Sequence, residues 1–195
     1  MEKDNTEKTK KRESYWKRRS HLMYYQYLDQ MVRVLAKEAN SMIDIGSSNI
    51  PIIESFDWVP YRYALDLNQP YESNTVKGIK EDFLSHNPQE KYDFALCLQV
   101  LEHIPDVHEF ALKLFDIAHH VIISVPYKWD PPHRTHVHDP VDFDKLYDWT
   151  GRKPTYHIVI SELFSKRQRL LCYYHPHKDK LKLKYLREDL KQINS

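Results

Sequence analysis

The feature that most constrains this chain is a series of short apolar segments, each stopping at a polar residue, a glycine or a proline, with helical or polar stretches between them. Ser41-Met42-Ile43-Asp44-Ile45 stops at Gly46, and Tyr61-Arg62-Tyr63-Ala64-Leu65 ends at Asp66. A weaker segment over 75–79 leads to Asp82. Tyr92-Asp93-Phe94-Ala95-Leu96-Cys97-Leu98, the clearest interior strand, runs into Gln99, and residues 120–125 run into Pro126. Short apolar runs bounded in this way read as buried strands. Two more are expected over 155–161 and 169–174. Residues 14–39 carry Trp16, Met23, Tyr24, Tyr27, Met31, Val34 and Leu35 at helical spacings, which predicts one amphipathic helix with a break near Ser20. A second helix is expected over 110–118. A third should start at Asp139-Pro140-Val141-Asp142, with Asp139 as N-cap, and end near Thr150-Gly151. Alternation of this kind implies an α/β fold with a mostly parallel sheet and helices on both faces.

A chain of 195 residues fits one domain, with residues 1–13 frayed, a helix over 14–39 and a core over 40–175. The longest apolar runs are too short to span a bilayer, and the charged N-terminus lacks the apolar centre of a secretory signal. Cys97 and Cys172 both sit in strand-like runs, which favours reduced, buried thiols and a cytoplasmic location. Charge is uneven: residues 1–20 carry eight Lys/Arg against four Asp/Glu, residues 166–195 carry nine against three, and the whole chain is only +1. Such basic ends suit a solvated surface or an anionic partner. No basic arm interleaved with stacking aromatics supports nucleic acid as a partner.

In a parallel α/β sheet, ligands collect at the carboxyl ends of the strands. That rule singles out Gly46 to Ile50, Asp66, Asp82, Gln99 to His103, and Pro126 onward. Gly46 directly after a buried strand allows close backbone approach, and the amides after it can face an anionic group. Asp66, about twenty residues on, suits ribose hydroxyls, although alone it reads equally well as a turn cap. A dinucleotide needs Gly-x-Gly-x-x-Gly, and only Gly46 is present, so a pyrophosphate cradle is poorly supported.

These residues resemble the motifs of class I S-adenosylmethionine-dependent methyltransferases, in the branch that acts on small molecules. Asp44-Ile45-Gly46 stands at the first motif, Ala64-Leu65-Asp66 is similar to the acidic end of the second strand, and Glu81-Asp82-Phe83 to the adenine-contacting element. The segment from Tyr92 through Gln99-Val100-Leu101-Glu102-His103-Ile104-Pro105-Asp106 is the most specific match. The resemblance covers residues 40–175. It implies a Rossmann-like, mostly parallel seven-stranded sheet with an antiparallel last strand. It implies S-adenosylmethionine as cofactor, S-adenosylhomocysteine as product, and a small polar acceptor such as a sugar or sugar nucleotide, methylated on O or N. Asp44, Gly46 and Ser47 would hold the methionine end, with Gln99 and Val100 beside it. Asp66 would bind the ribose, Leu67 would pack on the adenine or ribose, and Asp82 and Phe83 would meet the adenine. The sequence departs from the family at Ser48 and Ile50, where glycines are usual. Asn49 reaches left-handed backbone more readily than most residues and can compensate.

Methyl transfer from a sulfonium depends chiefly on alignment, and a base is needed only if the acceptor must lose a proton. His103, His133 and His136 are the candidate catalytic residues. Tyr24, Tyr25 and Tyr127, with Trp129, are candidate walls of the acceptor pocket. Arg134, with Lys128, would favour an acceptor bearing phosphate or carboxylate. The run from His133 to Asp139 has metal-ligand chemistry, but no Cys supports it and Asp139 reads better as a cap, so no metal is assigned. Glu54, Asp57 and Asp106 read as ordinary surface charge. Three other readings compete: a non-catalytic cofactor-binding module, a methyltransferase acting on RNA or protein, and, least favoured, a dehydrogenase. No membrane span is expected, and a homodimer is left open.

Overall fold

The structure is a computed structural model that describes residues 16–131 and 135–176. Residues 16–19 are helical, the chain turns at Ser20, and α1 follows over Met23–Leu35. The strands are β1 Ser41–Ile45, β2 Tyr61–Asp66, β3 Val76–Lys80, β4 Tyr92–Leu98, β5 Ala118–Tyr127, β6 Tyr156–Ser161 and β7 Gln168–Tyr174. Helix α2 spans Val107–Ile117 and α3 spans Phe143–Thr150. The seven strands form one sheet in the order β3-β2-β1-β4-β5-β7-β6. β1 to β5 pair in parallel, and β7 runs antiparallel to both β5 and β6. This is the α/β, Rossmann-like architecture expected.

Strand alternation divides the core into two layers. On one face, Ile43, Ile45, Ala95, Cys97, Ile123 and Cys172 pack under Phe110 and Leu114 of α2 and Leu146 and Trp149 of α3. On the other, Met42, Ala64, Phe94, Leu96 and Ile122 pack against Tyr24, Leu28 and Val32 of α1. Ile52 and Ile53 of a 3-10 turn at Pro51–Ser55 complete that layer. The crossovers are economical: this turn is the only helical element between β1 and β2, and another short turn, Phe83–Ser85, is the only one between β3 and β4. Cys97 and Cys172 are free and buried, and burial pushes both thiols up, Cys172 to about 12. No helix among the described residues is long and apolar enough to cross a membrane.

Three boundaries differ from expectation. Helix α1 ends at Leu35 rather than 39: the Ala36 amide still donates to Val32, at 2.8 Å, but the Ala36 carbonyl accepts from Trp58 Nε1 at 3.0 Å. Helix α2 begins at Val107, three residues before the predicted start. The cap of α3 is Asp142, whose side chain accepts from the Lys145 amide at 2.9 Å, whereas Asp139 turns to His136. Asp142 wins because the helix starts after Val141 has entered the core. Glu54 is also more than surface charge: its carboxylate accepts from Tyr71, Ser73 and Thr75 and pairs with Arg62 at 3.8 Å. Burial opposes its ionisation, but those hydroxyls and Arg62 outweigh burial and hold the carboxyl below its ordinary value.

Candidate functional site

Left-handed backbone is concentrated at one end of the sheet. Gly46 (φ 75°), Ser48 (φ 46°) and Asn49 (φ 58°) follow β1, Gln99 (φ 58°) follows β4, and Lys128 (φ 52°) follows β5. Each non-glycine residue held there costs about 1–3 kcal/mol, so the fold must over-determine these loops. Asn49 adopts the conformation expected of it. Ser48 does so as well, which the sequence did not announce.

The loop after β1 is fixed from several sides. The Gly46 and Ser47 amides both donate to the Leu65 carbonyl, at 2.7 and 3.2 Å. Ser47 Oγ accepts from the Tyr71 amide at 3.1 Å, and the Ser48 amide donates to Asp66 Oδ2 at 3.0 Å. Asp66 Oδ1 accepts from the Asn68 and Gln69 amides, each at 2.8 Å. Asp66 therefore caps its own turn and anchors the β1 loop with the same carboxylate. Gly46 is required twice over, by its positive φ and by the Val100 side chain beneath it.

Asp44 is 2% exposed, and among the described residues none hydrogen-bonds its carboxylate. Burial, reinforced by the charge of Asp66, pushes it up to about 8. At the end of β4, the Gln99 amide donates to the Ser124 carbonyl at 2.9 Å, and Gln99 Nε2 donates to Ser124 Oγ at 3.3 Å. Ser124 Oγ lies 2.6 Å from the Tyr24 hydroxyl. Tyr24 is thus a core residue, reaching the strand ends only through Ser124, while Tyr25 is half-buried against Tyr24 and Trp16. Leu67 is 61% exposed beside Asp66. Asp82 is exposed and accepts from the Leu84 amide at 3.0 Å, whereas the Phe83 ring is buried 4.4 Å from Phe110. Tyr127 is half-buried, with Lys128 Nζ 5.3 Å from its ring. His133 and Arg134 lie outside the described residues.

The segment after β5 is stitched onto the short turn Leu101–His103 that follows β4. The Val137 amide donates to the Glu102 carbonyl at 2.9 Å, His103 Nδ1 meets the Thr135 carbonyl at 2.8 Å, and His138 Nε2 meets the Ile104 carbonyl at 2.7 Å. The His103 and His136 rings are 4.7 Å apart, edge to face, and His136 Nδ1 lies 2.7 Å from Asp139 Oδ2. Beneath them Glu102 is 1% exposed, and burial, with Asp139 nearby, pushes its carboxyl up to about 8. Sequence reasoning gives Glu102 no role beyond its place in the Gln99 to Asp106 segment. The signal it carried was a carboxylate inside an apolar Leu-x-His turn directly after an interior strand.

Two surface depressions, of about 410 and 540 Å³, lie at the opposite end of the sheet and hold none of these residues. The candidate site is marked by strained backbone, buried carboxylates and convergent polar groups rather than by a cavity.

No protein-family model matches this sequence, and no curated protein matches it. Solved structures do. One is Burkholderia thailandensis 1,6-didemethyltoxoflavin-N1-methyltransferase, solved with 1,6-didemethyltoxoflavin and S-adenosylhomocysteine; it is 14% identical, with 86% of this chain and 84% of that one covered and a TM-score of 0.67. The N-methyltransferase NodS from Bradyrhizobium japonicum, with S-adenosylhomocysteine, is 11% identical over 82% of this chain and 91% of its own, at a TM-score of 0.63. Magnesium protoporphyrin IX methyltransferase from Synechocystis, with S-adenosylmethionine, is 19% identical over 77% and 79%, at 0.54. The fold is that of the class I S-adenosylmethionine-dependent methyltransferases, as the strand-end motifs imply.

Proposed function

We propose that this protein is an S-adenosylmethionine-dependent methyltransferase acting on a small polar acceptor through oxygen or nitrogen, with a sugar or sugar nucleotide as the leading acceptor class. The observation that carries the reading is the convergence of Asp44, the Gly46–Ser48 amides, Asp66 and Gln99 at the carboxyl ends of β1, β2 and β4. The donor set fits this cofactor. A one-glycine loop gives a pyrophosphate no cradle, whereas Asp44 and Asp66 suit an ammonium and a pair of ribose hydroxyls.

In this reading Asp44 faces the cationic methionine end, with the Gly46 and Ser47 backbone and Gln99 and Val100 around it. Asp66 takes the ribose hydroxyls, and the exposed Leu67 covers the nucleoside. Asp82 accepts from the adenine amino group, with Phe83 packing behind it. When bound, S-adenosylmethionine supplies an electrophilic methyl group on a sulfonium. His103 and His136 stand on the acceptor side, oriented by the Thr135 carbonyl and by Asp139. Tyr25 and Tyr127 flank the acceptor, and the residue types of His133 and Arg134 suit contact with a polar or anionic acceptor. The contribution asked of these residues is alignment of the acceptor atom with the methyl group, at about 3 Å.

Calorimetry with S-adenosylmethionine, S-adenosylhomocysteine and NAD tests the proposal. Binding of both sulfur compounds without NAD is expected, followed by methyl transfer to a member of a pool of hydroxylated and amino metabolites. Failure to bind either sulfur compound would sink the reading. Binding without turnover on any acceptor would favour a non-catalytic module.

A further inference from the structure

We propose that Glu102, His103 and His136 form a site for one first-row divalent cation of the zinc class. One donor atom from each of the three lies within 4.8 Å of the others. His103 Nε2 and Glu102 Oε1 are 4.0 Å apart, too far for a hydrogen bond and close enough to share an ion. Zinc-type bonds of about 2.0–2.2 Å place ligand atoms roughly 3–3.5 Å apart, so the donors must close by about 1 Å. His103, 36% exposed, has room to make that movement.

Hydrogen bonds fix a ligand-competent tautomer on both rings. A carbonyl and a carboxylate only accept, so the contacts to Thr135 O and to Asp139 Oδ2 put the protons on Nδ1 of His103 and His136. Nε2 is then the lone-pair nitrogen of each neutral ring. Metal-binding histidines are held this way, with the second nitrogen donating to a carbonyl or carboxylate. An independent observation points to the same place. Glu102 is buried, and its Oε2 has no hydrogen-bond partner; Oδ1 of Asp139, the residue that orients His136, is likewise buried and unpartnered. Buried carboxyl oxygens without partners are costly unless a proton or a cation answers them.

The ligand set selects the ion. Two imidazoles and one carboxylate suit zinc and its first-row neighbours, while calcium and magnesium prefer oxygen alone. Three protein ligands also leave coordination positions for an exogenous oxygen or nitrogen ligand. On the methyl-transfer reading that ligand is the acceptor, and this last step alone rests on that reading.

The test titrates EDTA-treated full-length protein with Zn²⁺ by calorimetry, and with Co²⁺ by visible absorbance. One equivalent should bind, and Zn²⁺ should raise the melting temperature. Glu102→Gln and His103→Asn should each weaken binding by about 10-fold to 100-fold and abolish the thermal shift. His157→Asn, an exposed histidine outside the cluster, should change neither. His103 is exposed enough that its variant should fold even if Glu102→Gln does not. Absence of binding to the parent protein, or equal affinity in His103→Asn, overturns the proposal. S-adenosylmethionine titrated into the same preparations reports separately on the methyltransferase reading, which can fail while the ion still binds.

Discussion

Gly46 and Val100 share a space that admits no β-carbon: one built on Gly46 would fall 2.6 Å from Val100 Cγ2. The backbone there has φ 75°, which an L side chain rarely adopts. Gly46→Ala therefore meets two penalties, one steric and one conformational. We expect it to destabilise the fold by about 1–3 kcal/mol and to cost at least tenfold in cofactor affinity. Urea denaturation and calorimetry measure the two effects. Adding Val100→Ala should relieve the clash but leave the conformational part, so partial recovery is expected, and full recovery would show that φ is not the constraint.

Asp44 should make stability depend on pH. Its carboxyl is raised by burial to about 8 in the fold, against about 3.9 in an unfolded chain. The folded state therefore holds the proton more tightly. Its contribution to stability is fully present below about pH 4 and is lost as the pH rises through about 8. Asp44→Asn should flatten that part of the profile, measured by denaturation at a series of pH values. A cationic ligand should also expel the proton on binding. Calorimetric enthalpies at pH 7 should then differ between phosphate and Tris buffers for the parent protein, and not for Asp44→Asn.

Substitutions can separate the turn-capping role of Asp66 from its proposed ribose contact. Asp66→Ala removes the acceptor for the Ser48, Asn68 and Gln69 amides as well as the proposed ribose contact. It should lower stability by about 1–2 kcal/mol and weaken S-adenosylmethionine binding by one to two orders of magnitude. Asp66→Asn keeps one carbonyl oxygen for the turn amides, so more of the stability should survive while the affinity still falls. Unchanged affinity in both variants would make Asp66 a turn cap alone.

The parts of this molecule that were legible in the sequence are those governed by neighbours along the chain. The strands announced themselves because apolar runs end sharply at Gly46, Asp66 and Gln99, and the proposed site is built on those ends. Asn49 was legible because left-handed backbone is a local preference. Asp139 misled because Asp-Pro is a good helix start locally, while Asp142, three residues on, is an equally good one that only core packing of Val141 selects. Glu54 looks like surface charge in sequence because its partners Arg62, Tyr71, Ser73 and Thr75 arrive from β2 and the segment after it. The grouping of Glu102 and His103 with His136 depends on the β5 exit folding back over the β4 exit, which no local spacing records.

Glu162 is the extreme case of such distance, and it yields the sharpest stability prediction. Helix α1 has Leu22 at its N-cap and no local side-chain cap. Glu162 supplies one from 139 residues away, accepting from the Met23 amide at 2.9 Å and the Tyr24 amide at 3.4 Å. The same carboxylate takes a hydrogen bond from Arg169 at 2.9 Å, and both residues are buried. Glu162→Ala would leave the guanidinium without its carboxylate and the helix without its cap. We expect a loss of about 3–5 kcal/mol, most of it from the stranded charge. Arg169→Leu in the Glu162→Ala background removes that charge and should restore stability to within about 1–2 kcal/mol of the parent, the remainder being the lost cap. Denaturant midpoints for the four proteins of this cycle give the coupling directly. Additive losses would mean that Arg169 is held by the Tyr24 and Trp129 rings, 5.2 and 5.5 Å away, rather than by Glu162.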